Sequence, residues 1–267
     1  MSTISAAERV SPRWQLSSRG YERLINLASP ISLLLLWELA AQFGLIDTRF
    51  FPAPSTILRK LFALVHSGEL LRHTLTSLER LFWGVVLGGL PALVLGLFMG
   101  LNRLLRAIIE PLIAAIYPIP KSSIVPLALL VFGLGESSKI FMVAVGVFFP
   151  VVINTTTGVC EINKIYVDVG KNFEASRWNT FCTIALPGAL PFIMTGIRLG
   201  IGMGLVLIAV AEMIGAKSGL GFMIWNAWET FSVEKMYVGL FVIAMIGVTL
   251  TLLLQELERI LIPWRAT

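Results

Sequence analysis

Charge is what this chain has least of. Of its 267 residues only 14% are Asp, Glu, Lys or Arg, against 56% hydrophobic, and the mean hydropathy is +0.83. A soluble domain is ~25% charged and ~45–50% apolar, so a water-exposed globule is excluded and a bilayer is the expected solvent. Histidine is almost missing. His66 and His73 are the only two and have no metal-ligand companion, which leaves no metal centre, no catalytic residues and no membrane enzyme to expect. Cys160 and Cys182 are the only cysteines, too few and too isolated for a disulfide scaffold or a metal cluster, and they read as small membrane or interface residues. Also lacking is a G-x-x-x-x-G-K-[ST] loop to cradle phosphate: Gly170-Lys171 has no upstream glycine, so the chain is not expected to hydrolyse nucleotide. Basic residues outnumber acidic ones, 21 to 16, but they are scattered and not interleaved with aromatics. Anionic lipid headgroups account for that excess, and nucleic acid is not an expected partner. No repeat, low-complexity stretch or linker marks a second domain.

What is present is a series of apolar runs. A spanning helix needs about 20 mostly apolar residues, and the sequence supplies six candidates, at about 24–43, 81–101, 107–134, 140–160, 185–211 and 236–254. Backbone groups in lipid must be satisfied internally, and no ten-residue alternation repeats as a barrel requires. The expected class is therefore all-α, a polytopic membrane protein of six transmembrane helices. Residues 1–23, with Arg9, Arg13, Arg19 and Arg23, are expected to form a cytosolic tail before an uncleaved first span, with 24–267 as the membrane domain. The count of Lys and Arg on the two sides barely favours that orientation. Between the first two spans, PAPSTILRKLFALVHSGELL places Ile57, Leu61, Leu64 and Val65 on one helical face, with Ser55 as the expected N-cap of a helix lying on the membrane surface.

The third run is interrupted by Pro111, Pro118, Pro120 and Pro126, so it cannot be one straight helix. Unwound backbone at membrane depth is tolerated only within protein or beside a water-filled cavity. The break YPIPKSS, with Tyr117, Pro118, Pro120, Lys121, Ser122 and Ser123, is accordingly expected to line a pathway. Arg198 lies well inside the fifth run, where a bare arginine costs at least ~2.5–3.5 kcal/mol. It requires an acid, water or an anionic ligand, and Glu38, Glu110 and Glu212 are the expected acids. Asn154 on the fourth run and Glu212 near the end of the fifth join the candidate pathway residues. Asn154 has a neighbouring helix as its alternative partner, and Glu212 either closes a gate or holds the loop that follows. Small residues recur at spacing four in Gly84/Gly88, Gly96/Gly100 and Gly196/Gly200/Gly204, which suits close helix packing before it suits a moving surface. Trp225 and Trp228 read as interfacial anchors.

Residues 161–184 form a polar, helix-compatible interruption that runs directly into a span. Ile184-Ala185-Leu186-Pro187 closes it, and Ala175-Ser176-Arg177-Trp178 stands upstream. Here the chain resembles the permease subunits of bacterial ABC importers, in the nitrate, sulfonate, taurine and bicarbonate group. That family's loop reads E-A-A, three residues, G, nine residues, then I-x-L-P. The end is intact, but Glu174 occupies the glycine slot and Asp168-Val169-Gly170 the E-A-A slots. FPAPSTI, YPIPKSSIVPLALLVFGLGESSKI, PGALPFIMTGIRLGIG and AEMIGAKSGLGFMI are similar to the same group, in the same order, over roughly Phe51 to the C-terminus.

The resemblance implies a type I ABC importer permease in the bacterial inner membrane. It implies a homodimer with two ATPase subunits, which hold ATP and Mg while this chain holds no cofactor, and a periplasmic or lipid-anchored substrate-binding protein. The 161–184 loop would be cytosolic and would dock on the ATPase through Asp168, Lys171, Glu174, Ala175, Ser176, Arg177, Trp178 and Phe181, with Trp178 and Phe181 filling a cleft and Arg177 pairing at its rim. The solute would be small and anionic: nitrate, a sulfonate such as taurine, bicarbonate or a vitamin precursor. An ion-coupled secondary carrier is the alternative, although only one run is clearly broken where such carriers often break two.

Overall fold

The computed structural model describes residues 15–264, with 15–27 and Lys164, Val167, Lys171 and Arg177 described in backbone course only. Among the described residues there are helices and no strands. The chain divides into two units, Met1–Arg59 and Lys60–Thr267.

In the first unit α1 runs Gln15–Gln42, so the stretch expected as tail is helical from Gln15, while the arginines at 9 and 13 lie outside the described residues. Pro30 lies inside it. The surface helix is found as α2, Pro54–His66. Its start differs from expectation. Pro54 takes the first helical position, where its fixed φ and missing N–H cost nothing. Ser55 is then inside the helix, and both its N–H and its hydroxyl donate to the Glu38 carboxylate, at 2.9 and 2.8 Å. Glu38 therefore serves the beginning of α2 and is held by Gln42 as well.

The second unit is built on α6, Glu136–Cys160, packed between α3, Glu69–Leu101, and α9, Leu186–Met213. Lipid gives no hydrophobic drive for helices to associate, so backbone proximity must supply the contact. The glycine rows do this. A Cβ on Gly88 would lie 2.2 Å from the Ala144 carbonyl oxygen, and one on Gly196 would lie 3.0 Å from that of Pro150. Val143, Val147, Val151 and Val152 of α6, stiff at χ1, fill the core with Leu81, Ala92 and Met99 of α3.

α3 starts twelve residues before the expected second span because its polar first turns, with His73, Ser77 and Arg80, are buried against other helices and are not a loop. The third run is broken at Pro118 and Pro120, whereas Pro111 lies inside α4 and Pro126 in the first turn of α5. α4, Arg103–Ile116, is capped by Asn102, whose Oδ1 accepts from Leu104 and Leu105 N–H. The chain then bends by 87° into a 3-10 turn, Lys121–Ile124, and α5, Val125–Phe132. Beyond α6 come α7, Lys164–Asn172, the short α8, Arg177–Thr180, and a π-helical turn, Phe181–Ala185, that continues into α9. α10, Leu220–Glu229, and α11, Val233–Leu261, complete the bundle. Among the described residues four helices are long and apolar enough to cross a membrane, or five with the bent pair as one span. The remaining expected span falls on α1, whose residues before Ala28 are described in backbone only.

Candidate functional site

The α7–α8 segment is built by two terminal motifs back to back. At the end of α7 the Ala175 N–H reaches the Gly170 carbonyl at 2.9 Å, the six-to-one bond of a Schellman turn. That turn needs a left-handed residue one position earlier, and Glu174 supplies it with φ +53°. The glycine slot is thus kept in backbone conformation though not in residue, at ~1–2 kcal/mol for a residue with a Cβ. Two positions on, the Ser176 hydroxyl accepts from Asn179 N–H at 3.2 Å and caps α8. A Cβ on Gly170 would stand 3.0 Å from Ile184 Cδ1, the far end of that side chain, where α7 lies on the π-helical turn.

Exposure on this segment is apolar. Trp178 is 71% and Phe173 83% exposed, and Ile165, Tyr166 and Val169 of α7 are exposed with them. Trp178 stacks at 5.7 Å on Phe181, which is half-buried, so Trp178 carries the free surface and Phe181 supports it. Asp168, Glu174 and Ser176 are exposed and Ala175 is partly covered, while the Lys171 and Arg177 side chains lie outside the described ones. Phe173, Tyr166 and Ile165 were not anticipated. The i, i+4 and i+8 row of Ile165, Val169 and Phe173 within IYVDVGKNF, with Tyr166 beside its first member, was the available signal, obscured by interleaved charges.

At the opposite end of the bundle is a buried ionic cluster. Arg80 is 2% and Glu212 0% exposed. The Arg80 guanidinium donates to both carboxylate oxygens of Glu136, at 2.5 and 2.7 Å, to Glu212 at 2.8 Å and to the Ser218 carbonyl at 2.7 Å. Glu212 further accepts from the Ser77 hydroxyl and from Gly221 N–H. Ser77 accepts from Leu220 N–H and His73 Nδ1 from Gly219 N–H, so the loop before α10 is sewn to α3. Gly219 has φ +113°, and a Cβ on it would fall 2.2 Å from the Glu212 carboxyl carbon. No residue but glycine fits there. Lys139, also buried, donates to the carbonyls of Leu134, Gly135 and Gly215. Of the two roles open to Glu212, the one realised here is holding the loop.

The other pathway candidates separate. Tyr117, Pro120 and Lys121 come together around a cavity of about 250 Å³, completed by Ile119, Gly146, Phe149, Pro150 and Met203. Pro118, Ser122 and Ser123 are exposed and do not line it. The Asn154 amide donates to the Pro150 carbonyl of its own helix at 2.8 Å. Arg198 is paired, but with Glu258 of α11 at 2.5 Å and with none of the three acids expected, because the fifth and last spans pack side by side. Among the described residues no three His, Cys, Asp or Glu side chains are grouped as metal ligands would be.

Comparison with known proteins supplies the remaining findings. Residues 92–266 match the family model described as binding-protein-dependent transport system inner membrane component. The taurine transport system permease protein TauC of Escherichia coli K12 is 34% identical over 97% of this chain and 94% of its own length. Aliphatic sulfonates transport permease proteins, named as putative, are 35% identical in E. coli K12, over 88% of this chain and 89% of theirs, and 31% identical in Bacillus subtilis 168, over 92% and 89%. Among solved structures, the inward-facing MetNI methionine ABC transporter covers 70% of this chain and 91% of its own, with a TM-score of 0.52 and 19% identity, a likeness of fold. None of these comparisons favours an ion-coupled carrier.

Proposed function

The chain belongs to the family of binding-protein-dependent transport system inner membrane components, as a multi-pass permease subunit of an ABC importer, and from that premise we propose that it imports a small organic sulfonate or similar anion using work delivered through α7 and α8. A separate ATPase, holding ATP and Mg, docks on the exposed apolar ridge of Ile165, Tyr166, Val169, Phe173 and Trp178. Arg177, Lys171, Asp168 and Glu174 supply its charged rim. That places α7–α8, and with them the N-terminus, in the cytosol. A second copy of the permease completes the pathway, and a periplasmic or lipid-anchored binding protein delivers the solute at the end where Arg80 and Glu212 lie. The sulfonate assignment draws on the names of the relatives, which cover nearly the whole chain. The pathway is assigned to the side of the bundle where the broken span leaves the cavity of Tyr117, Pro120 and Lys121.

One observation carries the docking proposal. The ridge ends at Trp178, where a helical run, Trp178–Met213, begins and continues into the span packed on α6. Aromatic anchors at such interfaces are worth ~2 kcal/mol or more each, whereas side chains this exposed contribute within about ±0.5 kcal/mol to folding. The Phe173→Ala/Trp178→Ala double variant, co-expressed with the ATPase, is expected to lose co-purification and uptake of radiolabelled taurine or ethanesulfonate while its unfolding midpoint stays at the parent value. Unchanged co-purification and uptake remove the docking role.

A further inference from the structure

Three cationic side chains are buried among the described residues: Arg80, Lys121 and Lys139. Their surroundings differ in charge. Arg80 and Lys139 share one end of the bundle with Glu136 and Glu212, two cations against two carboxylates. Lys121, 8% exposed, has no carboxylate within ion-pairing distance among the described residues. Its ammonium donates to the Tyr117 and Ile119 carbonyls at 2.6 and 2.8 Å and reaches toward that of Ile116 at 3.5 Å. The Phe149 and Tyr117 rings face it at 4.7 and 5.2 Å. Carbonyl dipoles and aromatic faces accommodate a cation, but they bring no opposite charge. A whole positive charge is left in a low-dielectric setting, where an unpaired ion is costly.

That charge stands at the wall of the cavity of about 250 Å³. The cavity lies near mid-height of the bundle. Its Gly146 and Pro150 lie near the middle of the 25-residue α6, and the 14-residue α4 climbs ~21 Å before reaching Tyr117. Its volume falls just below the ~300 Å³ at which pockets for drug-sized ligands begin, so it suits a solute of few heavy atoms. One pole is the ammonium, and Phe149, Pro150 and Met203 are the apolar remainder.

We propose that Lys121 is an anion-reading residue of the permease itself: a small sulfonate enters this cavity with an oxygen on the ammonium, displacing the long contact to Ile116, and rests its short alkyl chain on Phe149 and Met203. This rests on the reading of the chain as a small-anion importer and adds that selectivity for charge is exercised within the membrane as well as by the binding protein. An uncharged solute of the same shape leaves Lys121 unpaired and is rejected. Charge-assisted hydrogen bonds are roughly twice as strong as neutral ones.

The test reads occupancy directly. In the full transporter reconstituted in liposomes, Met203 is replaced by cysteine on a Cys160→Ser/Cys182→Ser background, and its rate of alkylation by a small maleimide is followed. Ethanesulfonate is expected to slow that rate several-fold, while ethyl methyl sulfone, its uncharged analogue, leaves it unchanged. Lys121→Gln is expected to weaken the protection about tenfold or more, as loss of one charged contact implies, and Lys121→Arg to retain it. Equal protection by the sulfone, protection that survives in Lys121→Gln, or no protection at all overturns the proposal. Should Lys121→Gln fail to fold, the sulfonate-against-sulfone comparison in the lysine-containing protein decides alone. Uptake of radiolabelled ethanesulfonate is measured in the same liposomes. Import without protection sinks the Lys121 site and spares the importer reading; protection without import does the reverse.

Discussion

Removing Arg80 is expected to cost several kcal/mol of stability, and the geometry says how the loss divides. The guanidinium holds two carboxylates of very different exposure: Glu136 has 65% of its side chain accessible, Glu212 none. An exposed ion pair is worth ~0–1 kcal/mol, so the contact to Glu136 contributes little despite being bidentate. Glu212 is the expensive partner. Without Arg80 it keeps the Ser77 hydroxyl and the Gly221 N–H but loses the one ion pair it makes among the described residues, in a dry site, and breaking a buried pair from one side costs ~3–5 kcal/mol. Arg80→Met is therefore expected to destabilise by ~3–5 kcal/mol, Glu212→Gln by a similar amount, and Glu136→Gln by no more than ~1 kcal/mol. The Arg80→Met/Glu212→Gln double variant is expected to cost well below the sum of the singles, since the second substitution removes the orphaned charge. Equilibrium unfolding in mixed micelles gives all four values. The reasoning fails if Glu136→Gln equals Glu212→Gln, or if the two main losses simply add.

Glu174→Gly is expected to stabilise the α7 turn by ~0.5–1 kcal/mol, the left-handed strain relieved less the entropy glycine brings to the unfolded chain; slower hydrogen exchange at Ala175 N–H is the readout, and faster exchange refutes the Schellman assignment. Gly88→Ala drives a Cβ to 2.2 Å from backbone, which cannot give way, whereas a Cβ at Gly202 meets nothing within 4 Å. The first is expected to lose several kcal/mol and the second to be neutral or gain up to ~1 kcal/mol from helix propensity, both measured as unfolding free energies. Arg198→Gln and Glu258→Gln are expected to lower stability by similar amounts and to be non-additive, because each strands the other part-way down a span; strictly additive losses argue against the pair.

The fold was legible wherever one physical rule acted alone. Length and hydropathy located the spans, and proline located the break after α4, because both act locally. The glycine rows announced close packing, and Gly88, Gly196 and their neighbours do meet α6. What could not be read were partners separated by 60 residues or more. Nothing in the spacing of Arg80 and Glu212, 132 residues apart, says that they meet, and Arg80 stood just outside the run taken as the second span. For Arg198 an acid, water and an anionic ligand were all open, and the carboxylate it meets, Glu258, comes from the C-terminal helix that packs beside it and not from the three acids expected. At α7 the missing glycine was visible and the left-handed turn it serves was not, because sequence shows which residue prefers a conformation and only backbone shows which conformation is imposed.

The two ends of the bundle are held by different physics, and that difference bears on how work would pass through it. At the Arg80 end, α3, α6, the end of α9 and the loop before α10 are locked by directional, charge-assisted bonds that cannot slide without breaking. Along the middle, α9 meets α6 through Gly196, Gly200 and Gly204, which lie against Pro150, Val151, Val147 and Val143, while Leu207 and Phe192 of α9 sit against Gly146 and Gly158 of α6. Such a face gives up only dispersion contact when it shifts. At the α7 end, the segment touches the rest mainly through Gly170 on Ile184, at a π-helical turn whose i→i+5 bonding is a common site of local adjustment. A load applied to α7 and α8 would pass the π-helical turn first, then the glycine face of α9, then the bonded Arg80 end. Held at that end, α9 would move by tilting, and a tilt of α9 would carry Met203, which lines the Lys121 cavity, against the other side of that cavity.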